Sequence, residues 1–188
     1  HVLTTFQVPD KDRILVEQII GGPHPTYLIT TCRGRGFNTA LGYFMAGLAE
    51  QASIPVIEMS FDENGLLLKT AQDVDPGAMY EAFSADNHMD VIERYIIGTQ
   101  IFAKRFREVA GRSLIIPKRI GAEEISPQQF QQRADALLNR HRTMEGSILI
   151  REAKNEILYG DIDLGGLEQF LTSCREGQAR IVHIRTTL

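Results

Sequence analysis

Cysteine is scarce in this chain, with only Cys32 and Cys174 in 188 residues. They lie far apart, and neither belongs to a C-x-x-C pair or a Cys/His cluster, which removes zinc modules and dithiol redox centres from consideration. Two free, buried thiols in a reducing cytoplasm are expected. No run of about 18 apolar residues occurs, so no membrane-spanning helix is expected. Catalytic signatures are equally sparse. There is no G-x-x-x-x-G-K-[ST] loop, no H-E-x-x-H, and no G-x-S-x-G elbow around Ser147; the five histidines are dispersed. Nothing at the start reads as a signal peptide. The opening His1 and the strand-like end IVHIRTTL predict an excised or processed piece.

What is present fits a folded domain. With 43% hydrophobic residues the chain can bury one substantial core, or two small units sharing one. Segments 13–20 (RILVEQII) and 26–32 (TYLITTC) are β-branched runs separated by the turn-forming GGPHP, and the second reads as central. TALGYFMAGLAEQA has helical periodicity, with Leu41, Phe44, Met45 and Leu48 on one face and Gly42, Ala46 and Ala49 on a small side suited to close packing on a sheet. Asn38 is the expected N-cap. Residues 54–59 and 66–69, joined by DENG, predict a second strand pair.

Beyond about residue 73 the pattern turns helical. PGAMYEAF and MDVIERYII read as short helices, and Ile97, Ile101, Phe102, Phe106, Val109 and Leu114 form an apolar stripe beyond them. Ser126, Pro127 and Gln129 spell a capping-box start with proline at N1, followed by Phe130, Ala134, Leu137 and Leu138 at helical spacing. Further helices are expected near 147–158 and 164–175. The expectation is one α+β domain over 1–188: a mostly N-terminal β-sheet with packed helices (1–72), a helical second half (73–178), and a final strand (179–188) that rejoins the sheet.

Charge is unevenly distributed. Residues 101–120 hold Lys104, Arg105, Arg107, Arg112, Lys118 and Arg119 against Glu108 alone, six bases and one acid in a chain of net charge −4. Between Glu58 and Arg94, nine acids face two bases. The basic segment is a candidate anion-binding surface, or a helix face solvated by long cationic side chains. CRGRGFN joins a strand to a helix, where Gly34 and Gly36 permit tight backbone and Arg33 and Arg35 add charge; it reads as a phosphate contact or as a structural turn. It is no dinucleotide fingerprint, because the third glycine position is Thr39. Glu152, Glu156, Asp161 and Asp163 could be drawn as a divalent metal site. The favoured reading pairs Glu152 and Glu156 with Arg151, Lys154 or the basic helix, and makes Asp163 the cap of the helix at Leu164. A rival reading of Arg105, which lies near the apolar stripe, pairs it with a buried carboxylate such as Glu152 or Glu156 and leaves Lys104 and Arg107 freer.

These segments together resemble the DEAD/H-associated domain of large helicase-related (Lhr-type) ATP-dependent helicases. TYLITTCRGRGFNTALG is similar to that family's strand, glycine-containing turn and small-residue helix. Phe102, Arg105, Phe106, Arg107, Ala110 and Arg112 match its F-x-x-R-F-R-x-x-A-x-R helix position by position, and QQRADALL and IREAKNEILYGDIDLGGLEQFL follow in order. Asn155 departs from the arginine more often found there. The absence of tryptophan means that a base-stacking Trp of relatives has no counterpart.

The resemblance implies an accessory module lying after two RecA-like motor domains and a winged-helix domain, in a helicase that moves 3′ to 5′ on single-stranded DNA and unwinds DNA or RNA:DNA duplexes in repair-related work. ATP and Mg²⁺ would belong to the absent motor, with no cofactor in this segment. Expected partners are a single strand or an RNA:DNA hybrid and the neighbouring domains, with Lys104, Arg105, Arg107, Arg112, Lys118, Arg119, Arg33 and Arg35 as candidate contacts and no catalytic or metal residue. Two alternatives are a metal-dependent phosphodiesterase using Glu152, Glu156, Asp161 and Asp163, and a protein-binding module.

Overall fold

The computed structural model describes residues 10, 12–74, 87–117, 119–120 and 123–187. The expected helix PGAMYEAF lies outside them. The chain divides into two compact units, one from His1–Tyr95 with Ile162–Leu188, the other from Ile96–Asp161.

The first unit is built on a five-stranded sheet. Its strands are β1 (Arg13–Ile20), β2 (Thr26–Thr30), β3 (Val56–Phe61), β4 (Gly65–Thr70) and β7 (Arg180–Thr187), in the spatial order β3-β4-β2-β1-β7. All neighbours are antiparallel except β1 and β7, which run parallel, so the last strand does rejoin the sheet and β2 is central. Period-two alternation sends Ile14, Val16, Tyr27, Ile29, Leu66 and Leu68 to one buried face. The other face stays open, with Leu28 40% and Ile184 36% exposed. In the DENG turn, one carboxylate oxygen of Asp62 accepts from the Asn64 and Gly65 amides, each at 2.8 Å.

Helix α1 (Arg35–Gln51) is buried nearly all round rather than on one face, because it is enclosed on several sides. Toward the sheet, a Cβ at Gly42 would fall 2.4 Å from the Phe61 ring, so the small side of the helix permits its close approach. Tyr43 meets Tyr95 of α2 (His88–Ile97) at 5.9 Å between ring centroids, and Phe37 meets Phe170 of α6 (Leu164–Arg175) edge-on at 5.9 Å. Asn38 is not the N-cap: Gly34 occupies that position. Asn38 is buried in the helix, paired with the Thr31 hydroxyl and donating to the Asp62 carbonyl at 2.8 Å. Asp163 caps α6 as expected, accepting from the Gly166 amide at 2.8 Å. Both cysteines are free, but Cys32 is exposed and only Cys174 is buried.

The second unit is helical. It holds α3 (Gln100–Arg112), a two-residue ribbon β5 (Arg119–Ile120) with β6 (Glu123–Glu124), α4 (Pro127–Arg142), α5 (Ile148–Glu156) and a π turn (Ile157–Asp161). Thr99 caps α3, its hydroxyl accepting from the Phe102 amide at 3.2 Å. The Ser126–Gln129 capping box forms in full at the start of α4. The buried seam of α3 is Phe102, Phe106, Val109 and Ala110, at i, i+4, i+7 and i+8. Two expected members of the stripe are outside it. Ile101 is 45% exposed, about 100° of helix rotation away from Phe102, and Leu114 is 75% exposed beyond the end of the helix.

Candidate functional site

The second unit carries eleven basic against eight acidic side chains, and the first nine against sixteen, so the positive charge of the chain is concentrated in Ile96–Asp161. Once the apolar seam of α3 is buried, its charged residues must emerge on the remaining faces, and they fall into two groups.

Arg105 forms the first group. Its guanidinium donates to Asp161 and to Glu108, the latter at 2.9 Å, and lies 3.7 Å from Glu156. The hydrogen bond to Asp161, then the nearby carboxylates, push its pKa up. Arg112 also donates to Glu156, which raises the Arg112 pKa by that bond and its charge. Glu156 therefore pairs with the basic helix as expected. Asp161, read at sequence level as part of a possible metal set, is a further partner of Arg105. Among the described residues no cluster of three His, Cys, Asp or Glu side chains could hold a metal ion. The phosphodiesterase reading gains no support.

The second group lines a groove of about 550 Å³ in this unit. Lys104, Arg107, Glu108, Gly111 and Arg112 lie along one side of α3, and Pro127, Phe130 and Gln131 come from the first turns of α4. The α3 residues recur at i, i+3, i+4, i+7 and i+8, one helical face about 12 Å long. Lys104 is exposed and has no ion pair among the described residues. Arg107 is less free than expected, lying 3.3 Å from Asp135. The half-buried Phe130 ring reaches across to α3, and a Cβ at residue 111 would come within 3.0 Å of its Cζ. Phe130 shares the helical spacing of the buried Ala134 and Leu138 but is only half-buried, since periodicity gives spacing and not whether the facing surface closes over a residue. Arg133 and Arg140, seven residues apart on α4, are also exposed and without ion pairs among the described residues.

The other candidates lie elsewhere. Arg119 pairs with Glu124 at 2.7 Å across the β5–β6 ribbon, and Lys118 lies outside the described residues. Arg33 and Arg35 belong to the sheet unit. The Arg33 guanidinium stands over the rings of Phe37 and Phe170, 5.0 and 4.8 Å from their centroids, an arrangement that favours the cation. At the start of α1, the Glu63 carboxylate accepts from the Arg35 amide at 3.2 Å and the Glu63 carbonyl from Gly34 at 3.1 Å. An internal acid thus sits where an external anion was considered.

A mixed sheet packed with helices in one unit and a helical bundle with a basic groove in the other define an α+β protein. The chain belongs to the DEAD/H-associated family, whose model matches residues 8–188. It is 26% identical over 178 residues to the ATP-dependent helicase Lhr-Core protein 2 of Thermococcus barophilus, covering 93% of this chain and 21% of that protein. It is 25% identical over 183 residues to the ATP-dependent helicase Lhr-Core of Methanothermobacter thermautotrophicus, with 96% and 21% covered. The chain thus spans about a fifth of the length of these curated relatives. A solved structure of Mycobacterium smegmatis helicase Lhr bound to ssDNA and AMP-PNP shares the fold, with a TM-score of 0.79 at 22% identity over 96% of this chain and 23% of that one. Among the described residues no helix is long and apolar enough to cross a membrane.

Proposed function

We propose that this chain is the accessory nucleic-acid-binding and domain-bracing module of an ATP-dependent 3′-to-5′ DNA or RNA:DNA helicase. ATP and Mg²⁺ are used by motor domains outside it, and its partners are the translocating strand and the adjoining domains of the same parent chain.

The observation that carries the reading is the groove, where Lys104, Arg107 and Arg112 line one helical face. A phosphate backbone needs several cations along its path, and this face supplies three. The Arg107–Asp135 pair is partly solvated, and exposed ion pairs of this kind are weak, so a phosphate can compete for the guanidinium. Arg105 has a different part, holding Glu108, Glu156 and Asp161 and so offsetting the negative charge beside the groove. Arg119, Lys118, Arg33 and Arg35 are secondary contacts in this reading. The open sheet face around Leu28 and Ile184 supports the bracing role, since half-exposed apolar surface is suited to contact with a neighbouring domain.

Photo-crosslinking of a 5-iodouracil-substituted single strand, followed by peptide mapping, tests this reading. Adducts on residues 100–142 are expected. Adducts confined to the sheet unit, or none, would overturn the groove assignment.

A further inference from the structure

The two walls of the groove differ in chemistry. The α3 wall carries Lys104, Arg107 and Arg112, with Glu108 held by Arg105 at 2.9 Å. The α4 wall carries Pro127, Phe130 and Gln131, which add no charge. A site for phosphates alone would have no use for an aromatic wall, and an apolar peptide would offer no anion to the exposed Lys104 or to Arg107 and Arg112, whose pairs with Asp135 and Glu156 are partly solvated. A strand with unstacked bases satisfies both walls, with phosphates on the cations and bases against the ring and proline.

We propose that Phe130 is a base-stacking platform, so that the groove takes single-stranded nucleic acid with its bases turned toward α4 and its backbone toward α3. This rests on the nucleic-acid reading above and adds what it leaves open, namely the residue that meets the bases and the wall that each part of the strand faces. In a duplex the base faces are stacked on one another and closed to the ring. Every base has a π face, so binding is sequence-tolerant. Gly111 is part of the device: a Cβ there would lie 3.0 Å from Phe130 Cζ, so a side chain at 111 would push the ring by a few tenths of an ångström.

The test compares a fluorescent oligothymidylate with an abasic strand of equal length and a duplex, each titrated with wild-type protein and with Phe130→Ala, Phe130→Leu and Lys104→Ala. Phe130→Ala is expected to weaken oligothymidylate binding on the order of 5- to 150-fold, the range for one stacked base. Its salt dependence should stay unchanged, and abasic-strand affinity should stay within twofold. Phe130→Leu, which keeps an apolar side chain on α4 to pack against Gly111 of α3, should lose base-dependent affinity while melting close to wild type. Lys104→Ala should weaken both single strands alike. Oligothymidylate affinity insensitive to Phe130→Ala and Phe130→Leu, or an equal loss on the abasic strand, overturns the stacking role and leaves the nucleic-acid reading standing. Failure of the wild type to bind any strand overturns both.

Discussion

Arg105 and Asp161, 56 residues apart in the chain, share a hydrogen-bonded ion pair that ties the basic helix to the end of the π turn. The same guanidinium holds Glu108, so the most deeply engaged arginine of α3 balances local carboxylates. Replacing it with glutamine leaves Glu108, Glu156 and Asp161 near one another without their shared cation. A loss of about 1 kcal/mol is expected, because the side chain is partly solvated and its pairs are screened. Urea denaturation measures it. Unchanged stability would show that the cluster contributes nothing to this unit.

Asn38 links three segments from inside α1, paired to Thr31 at the end of β2 and to the Asp62 carbonyl of the β3–β4 turn. Asn38→Leu removes both partnerships and leaves buried polar groups unsatisfied, at a cost of about 2–3 kcal/mol. Thermal melting should fall accordingly. A variant as stable as wild type would contradict the assigned hydrogen bonds.

The two thiols should differ sharply in reactivity. Cys32 is exposed, whereas burial pushes the Cys174 thiol up to about 11, with Arg33 acting in the opposite direction. At pH 8 one thiol per chain is expected to react with a disulfide reagent, and the second only in denaturant. Cys32→Ser should abolish the fast phase.

Tyr27 makes stability depend on alkaline pH. Burial and then its hydrogen bond to Asp73 raise its pKa from 10.0 to about 12. The folded state therefore retains a proton that the unfolded chain releases. The contribution is full below pH 10 and is lost as pH rises toward 12, on the order of 2 kcal/mol at the limit. Denaturation at several pH values should show the gap between wild type and Tyr27→Phe narrowing across that window. Parallel curves would contradict it.

Much of the architecture is legible because its causes are local. Ser126 and Gln129 are three residues apart and satisfy each other's backbone, so the start of α4 can be read directly, as can the Asp163 cap. β1 and β7 are recognisable strands, although their parallel pairing depends on the whole chain between them. Asn38 was misread because a helix-starting asparagine looks like a cap unless its distant partners Thr31 and Asp62 are known. The partition of the arginines was only partly readable. The Arg112–Glu156 contact spans 44 residues and Arg107–Asp135 spans 28, beyond the reach of helical periodicity. Phe130 had the spacing of a core residue, and only the packing of α4 against Gly111 puts it in the groove.

The central claim is that Lys104, Arg107 and Arg112 neutralise phosphates. It is tested most directly by the salt dependence of single-strand affinity, followed by fluorescence anisotropy. Three phosphate contacts predict a slope of log K against log salt of about −2, each alanine substitution at these positions lowering its magnitude by about 0.7. Arg105→Gln should leave it nearly unchanged. A salt-independent affinity, or a slope indifferent to all three substitutions, would contradict the account.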